Sequence, residues 1–394
     1  MTREELKEIV LSYKHKHTIL QLPTGYGKTR IALEMLNLRY PEGGPVLIVV
    51  PKLVLIDTWK AEISKWYPKN KWDITFTTYI SFHKHSIKSW DMVIFDECHH
   101  ITERVKLNYH KALYKRTIYL SATIKKETIW WIKTTHNNKV DLIKLSLKDA
   151  IDDDVLPEPL VYLVPMTLND TVPTEIYVKN KKAKNTISVP YNQRMKYWKR
   201  KDIQLRVICT QHEYNNILEN QINYYKNLYM NSQAMYQKNI WLHIAGERLK
   251  YLSNLKEDFI KKILKKLAKK RVITFCGDIK QTEKLSKNCI NSKSKSSSDT
   301  LNQFNNGKIK HITACNMLNE GVNLVNCQIG IWAMYNSSSI MIIQKIGRLL
   351  RHDTPIVILP YYVDTREEEI VKKMLENFSE NNIKIITSIN EIRV

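Results

Sequence analysis

Residues 17–38 read HTILQLPTGYGKTRIALEMLNL: a short apolar run, a turn holding two glycines, then a helical pattern. A strand that passes through a glycine turn directly into a helix is the opening unit of an α/β sheet covered by helices. Gly25 and Gly27 let the backbone approach a ligand closely, and the N–H groups of the turn and the helix start point at it. In such a cradle Lys28 reaches the β/γ-phosphates of a nucleotide and Thr29 ligates Mg²⁺. Leu22 stands where the common G-x-x-x-x-G-K-[ST] pattern has its first glycine, so an ordinary glycine turn is the competing reading.

The same apolar rhythm continues. VLIVVP (46–51), ITFTTY (74–79), DMVIFDE (91–97) and RTIYLSAT (116–123) read as further strands, with helical patterns at 29–38 and 55–66. It returns in RVITFC (271–276), IKHITAC (309–315), QIGIWAM (328–334), PIVILPY (355–361) and IKIITSI (383–389). Two α/β units follow, each with a mostly parallel sheet. Residues 124–270 are too many for a loop. IDDDVLPEPL (151–160) reads as an exposed link, and the Tyr-, Asn- and Lys-rich span 191–270 reads as helical, part of an insertion carried by the second unit.

VIFDECHH (93–100) ends an apolar strand in two carboxylates. At a sheet edge shared with the phosphate loop, Asp96 would hold Mg²⁺ and Glu97 would orient and deprotonate a water. The adjacent His99 and His100 raise zinc as an alternative, but no Cys/His set is spaced for it.

A net charge of +23 favours a polyanionic partner such as nucleic acid over an uncommitted basic surface. No apolar run of about eighteen residues suggests a membrane partner. The six cysteines are scattered without a C-x-x-C pair, which fits a reducing cytoplasm rather than a disulfide framework.

Taken together in chain order, these segments resemble superfamily 2 helicases and translocases. PTGYGKT (23–29) resembles motif I, VPKLVLIDTWKAEI (50–63) motif Ia and TTY (77–79) the short element before motif II. DECH (96–99) resembles motif II of the DExH type and SAT (121–123) motif III; ITFCGD (273–278), LNEGVNL (318–324) and QKIGRLLR (344–351) resemble motifs IV, V and VI. The wording is most similar to type III restriction motor subunits, the bacteriophage UvsW helicase and XPB-like translocases, and with a phage source the compartment would be the host cytoplasm. The resemblance implies two RecA-like parallel-sheet domains in tandem: 1–145 as the first, 146–165 as linker and start of the second, 166–270 as an accessory, largely helical insertion, and 271–394 as the second core.

The implied cofactors are ATP and Mg²⁺. Pro23, Thr24, Gly25, Tyr26, Gly27, Lys28, Thr29, His99 and Gly321 would bind the nucleotide, with Thr29 and Asp96 on the metal. Lys28, Asp96, Glu97, Gln344, Arg348 and Arg351 would carry catalysis. Arg348 and Arg351 share a helix face, as arginine fingers aimed at one phosphate must, although a solvated basic helix end would look the same. Lys345 and Asn323 depart from the Arg and Asp often found in the family, and no adenine-reading glutamine is recognisable before Pro23.

Nucleic-acid contacts are implied at Pro51, Lys52, Thr78, Asn319 and Glu320. The stretch 177–201 has nine Lys/Arg and no acid, with aromatic residues interleaved, and offers Lys196, Tyr197 and Arg200 for phosphates and bases. Its rings could equally pack on the insertion itself. The expectation is an ATP-dependent motor on nucleic acid, DNA before RNA, plausibly monomeric. An RNA helicase, the motor subunit of a restriction or remodelling complex, and a non-catalytic nucleic-acid-binding scaffold are the rivals.

Overall fold

The computed structural model describes residues 2–85, 87–111, 113–291, 296–315, 324–335, 345–347, 349 and 352–393. Its first unit opens with helix α1 (Arg3–Ser12), then strand β1 (His17–Gln21) and α2 (Lys28–Arg39). It continues through β2 (Gly44–Val50), α3 (Val54–Trp66), β3 (Trp72–Thr78), β4 (Ser89–Phe95), α4 (Glu103–Tyr109), β5 (Leu113–Ser121), α5 (Lys126–Thr135), β6 (Val140–Lys144) and α6 (Leu147–Asp152). The sheet runs β3-β2-β4-β5-β1-β6 with every pairing parallel.

Successive strand residues point to opposite faces, and both faces are apolar here. Leu20, Ile48, Val50, Ile94 and Leu120 face a core shared with Leu6, Ala32, Leu36 and Trp59 of α1–α3. Ile19, Leu47, Val49, Val93 and Tyr119 face Val105, Tyr109 and Ile132 of α4 and α5. Fully burying one such aliphatic side chain contributes about 1.5–3 kcal/mol, so the near-continuous apolar runs select a doubly covered sheet.

Strand β7 (Leu160–Met166) begins the second unit. An accessory sheet interrupts it: β8 (Glu175–Lys179), β9 (Asn185–Pro190), the short helix α7 (Arg194–Tyr197) and β10 (Ile203–Cys209), with β10 central, antiparallel to β8 and parallel to β9. A helical hairpin follows, α8 (Gln211–Ser232) and α9 (Met235–Leu255). Thr210 and Glu213 start α8 with a reciprocal capping box, and Gln233 ends it in the left-handed region at φ 55°.

The chain then completes the second sheet through α10 (Glu257–Lys266), β11 (Val272–Phe275), α11 (Ile279–Leu285), β12 (Cys289–Ile290), α12 (Ser297–Asn305), β13 (His311–Ala314), β14 (Ile329–Trp332), β15 (Ile356–Tyr362), α13 (Arg366–Leu375) and β16 (Ile383–Ile385). Its order is β12-β13-β11-β14-β15-β7-β16, again parallel throughout. The expected α/β architecture with two parallel sheets is therefore what the chain forms. The insertion is largely helical but opens with three strands that the sequence did not separate. Among the described residues no helix is long and apolar enough to cross a membrane.

Candidate active site

In a parallel sheet all strand ends of one sense share an edge, where ligands of open α/β sheets bind. The register sets Gln21 of β1 beside Ser121 of β5, and Tyr119 of β5 beside Phe95 of β4. The turn after β1, Asp96–Glu97 after β4 and Ser121 thus converge on one line. Leu22, just past β1, carries the pairing on: its N–H donates to the Ser121 carbonyl at 3.0 Å and its side chain is buried.

The turn needs its glycines. Gly25 and Gly27 lie at φ 92° and 100°, in the left-handed region that disfavours side chains. A Cβ on Gly25 would also stand 3.3 Å from the Gly347 carbonyl and 3.3 Å from Leu156. Helix α2 begins at Lys28 with Gly27 as its N-cap, which leaves its first N–H groups without intrahelical partners. The Lys28 ammonium folds onto the loop, donating to the Leu22 carbonyl at 3.0 Å and reaching Pro23 O at 3.5 Å. Thr29 sits half-buried in the first turn. The Tyr26 side chain is buried in the core with Leu6 and Val10, so only its backbone is available to a ligand.

Asp96 is 8% exposed. Burial, then the neighbouring Glu97 charge, pushes its carboxyl up to about 6, against the opposing Trp59 hydrogen bond and Lys28. A bound divalent cation relieves that cost, so the donor set suits one. Glu97 takes a left-handed backbone at φ 51°, a strained setting for a non-glycine residue. Its Oε2 lies 3.3 Å from Ser121 Oγ and 3.4 Å from His99 Nδ1. The Ser121 hydroxyl is 2.8 Å from His99 Nδ1 and 2.8 Å from the Thr123 carbonyl. Motif-III-like SAT is therefore tied to Glu97, a role the sequence reading left unassigned to Ser121. Trp59 and Tyr79, both bonded to Asp96, were likewise missed; they stand in the Ia-like and TTY segments, so their positions were visible but not their partners.

The same edge carries buried polar atoms with no hydrogen-bond partner among the described residues: Gln21 Oε1, Thr24 Oγ1 and Thr123 Oγ1. Native proteins rarely leave such atoms unpaired, and a polar ligand is one reason they do. With the glycine turn, Lys28 and Asp96, they fit a nucleotide phosphate with its metal.

The second unit meets this edge through Gly347, where a Cβ would come within 2.7 Å of Thr24. Ile346 and Leu349 are buried in the core that also holds Leu20 and Leu22. Lys345 is buried with its ammonium 5.0 Å over the Phe275 ring, and desolvation holds it down at about 8. Gln344, Arg348, Arg351, Asn319, Glu320 and Gly321 lie outside the described residues.

Pro51 and Lys52 follow β2 and Thr78 ends β3, both at this same edge of the sheet. Lys196, Tyr197 and Arg200 belong instead to the accessory sheet. Tyr197 packs with Tyr177, Tyr191 and Trp198 on Val189, Leu205, Val207 and Cys209, and Arg200 pairs with Asp202. Those rings serve the accessory unit's own core, whereas the exposed lysines around them remain at the surface.

The family described as "Type III restriction enzyme, res subunit" matches residues 2–126, and that described as "Helicase conserved C-terminal domain" matches 255–353. The chain is 34% identical over 101 residues to the DNA 3'-5' translocase XPB2 of Sulfurisphaera tokodaii, a match spanning 22% of either chain. In fold it is similar to S. cerevisiae Dbp5 bound to RNA and ADP BeF3, at a TM-score of 0.57 and 12% identity over 98% of this chain and 89% of that one. Dbp5 bound to Gle1 and IP6 gives 0.59 and 12% over 98% and 88%. The two family matches fall on the two parallel-sheet units in the order of the motifs, and the chain is a member of superfamily 2 of helicases and translocases, in the type III restriction and XPB group.

Proposed function

We propose that the chain is a nucleic-acid-stimulated ATPase that translocates along or remodels DNA. The observation that carries this reading is the single edge at which the Gly25–Lys28 loop, Asp96–Glu97 and Ser121 meet Gly347 of the second unit. Helicase families are ATP-dependent enzymes, and the XPB2 match favours DNA.

Loop N–H groups and Lys28 would hold the β- and γ-phosphates, with Thr29 and Asp96 holding Mg²⁺. The metal supplies charge neutralisation on the phosphate oxygens. Glu97, steadied by Ser121 and His99, would orient the attacking water and take its proton. Arg348 and Arg351, on the segment that brings Gly347 to Thr24, would stabilise the γ-phosphate charge, with Gln344 placing the water and Gly321 near the nucleotide. Pro51, Lys52, Thr78, Asn319 and Glu320 would grip the sugar-phosphate backbone across both units.

The accessory sheet adds a second contact. The turn 180–184 and the loop 199–202 are joined by Asn180, which donates to the carbonyls of Arg200 (2.7 Å) and Ile203 (3.1 Å). Lys181, Lys182, Lys184, Lys199 and Lys201 therefore share one end of that sheet with Arg200, and Lys196 and Tyr197 flank it.

The test is ATP turnover with single-stranded, duplex and forked DNA and with RNA, beside Lys28→Ala and Glu97→Gln. DNA should stimulate turnover most, and either substitution should lower it about 10²-fold or more, the scale of losing one preorganised catalytic group. Turnover that both substitutions leave intact would sink the assignment; stimulation by RNA alone would move it to an RNA helicase.

A further inference from the structure

Asp96 is fastened from two sides by aromatic side chains that belong to other elements. Its Oδ2 accepts from Trp59 Nε1 at 2.8 Å, and its main-chain carbonyl accepts from the Tyr79 hydroxyl at 2.7 Å. All three residues are buried, with Trp59 only 1% exposed. An indole N–H can only donate, and a buried one without a partner is costly, so the bond fixes both groups. The Asp96 N–H is meanwhile held by the Val49 carbonyl of β2 at 2.9 Å.

The origin of the two aromatics is what matters. Trp59 stands on α3, whose start is bonded to the loop after β2: Leu55 N–H donates to Lys52 O at 3.1 Å and Ile56 N–H to Leu53 O at 3.0 Å. Lys52 and Trp59 are thus about two helical turns apart on one rigid piece. Tyr79 directly follows Thr78, whose carbonyl accepts from Ser81 N–H at 3.0 Å. Its ring lies against Phe95 and His100, with centroids 6.2 and 6.0 Å away. Each of the two first-unit segments assigned to nucleic acid therefore ends in a hydrogen bond to the residue assigned to the metal.

We propose that Trp59 and Tyr79 are positioning residues that couple nucleic-acid binding at Pro51–Lys52 and Thr78 to the Asp96 carboxylate. This rests on the ATPase reading above. A shift of either loop moves a donor on Asp96, and a metal-bound nucleotide that fixes Asp96 stabilises one placement of both loops. Coupling of this kind is reciprocal in binding free energy, so it can be read without turnover.

The experiment measures affinity for a fluorescent single-stranded DNA with and without Mg²⁺ and a non-hydrolysable ATP analogue, in wild type, W59F and Y79F. Phenylalanine keeps the ring and removes the donor, and thermal melts report whether each variant is folded. In wild type the analogue should change DNA affinity by about fivefold or more, and in either variant by no more than about twofold, the span between ordinary and negligible coupling. An unchanged ratio in both folded variants overturns the proposal, as does weaker analogue binding that leaves the ratio intact. Should one variant not fold, the other carries the same reading. A wild type with no coupling, and no turnover on any nucleic acid, would overturn the underlying ATPase reading instead.

Discussion

His17 and His136 stack at 3.6 Å with their planes 17° apart, inside the first unit and away from the edge that carries Lys28 and Asp96. His17 Nδ1 meets Thr117 Oγ1 at 2.8 Å, and His136 Nε2 meets the hydroxyls of Tyr109 (2.9 Å) and Tyr119 (3.0 Å). Burial first, then the positive charges of Lys16 and Arg116, holds His17 down at about 4. Burial and the facing His17 hold His136 at about 3. Above about pH 6.5 both are neutral whether the chain is folded or not, and they contribute no pH dependence. Below it the unfolded chain takes up protons that the folded one refuses, so stability falls as pH drops from about 6.5 towards 4. Thermal melts between pH 8 and pH 4 should show this fall, and His136→Phe should flatten it by removing one of the two titrations. A variant melting curve that tracks wild type at every pH would show that the stacked pair does not govern acid stability.

At the scale of elements, a buried ion pair at the junction of α9 and α10 helps to lock the accessory hairpin into the second core. Lys256 is fully buried, 2.6 Å from Glu367 Oε1 of α13 and 3.0 Å from the Ala333 carbonyl just after β14. Its ammonium also lies 4.7 Å over the Tyr335 ring, and Glu367 Oε2 accepts from Tyr362 N–H at 3.1 Å. Every charge there is paired, so removing one partner strands the other. Lys256→Met should destabilise the protein by roughly 3–5 kcal/mol, whereas pairing it with Glu367→Leu should recover most of that loss. Urea titrations of the two single variants and the double variant check this; strictly additive losses would contradict it. None of this was legible in the sequence, where Lys256 sits in a run of charges and its partner is 111 residues away. Most strands of both sheets were legible because burial on two faces makes them continuous apolar runs; β7, which follows directly on the Pro-containing link, and β12, only two residues long, were not separated from their surroundings. Strand β6 was not, since it is an edge strand with only Ile143 buried and Asp141 and Lys144 along it. Strands β8–β10 hid for a similar reason: their half-exposed sheet mixes Glu175, Lys179 and Arg206 with its apolar residues.

For the whole molecule, the excess of +23 has to be placed somewhere before it can be used. The residues of the proposed nucleotide edge stand out in the sequence because their chemistry is local: glycines, a lysine and two carboxylates each sit at a strand end. The basic stretch 177–201 was visible too, but which of its side chains face solvent is a tertiary question. The fold turns Tyr177, Tyr191, Tyr197 and Trp198 inward and gathers the lysines at the end where β8 stops and β9 and β10 begin. The opposite end is bonded to the exit of β7, through His212 N–H to Asn169 O at 3.1 Å. At about 3.3 Å per residue, the six steps from Cys209 back to Ile203 set the basic end roughly 20 Å from that root. Such an arm suits phosphates beyond the two main units, and none of Lys181, Lys182 and Lys184 is committed to an ion pair among the described residues. Each phosphate contact releases counterions, so affinity falls with salt at a slope of about 0.9 per contact on duplex DNA. Replacing Lys181, Lys182 and Lys184 together by alanine should therefore reduce the slope of log K against log salt by about one unit or more, equally for unrelated sequences. Affinity for the ATP analogue, measured on the same preparation, separates this from loss of fold. A slope equal to that of wild type would return the cluster to a solvated end of the sheet, with DNA held by the two main units alone.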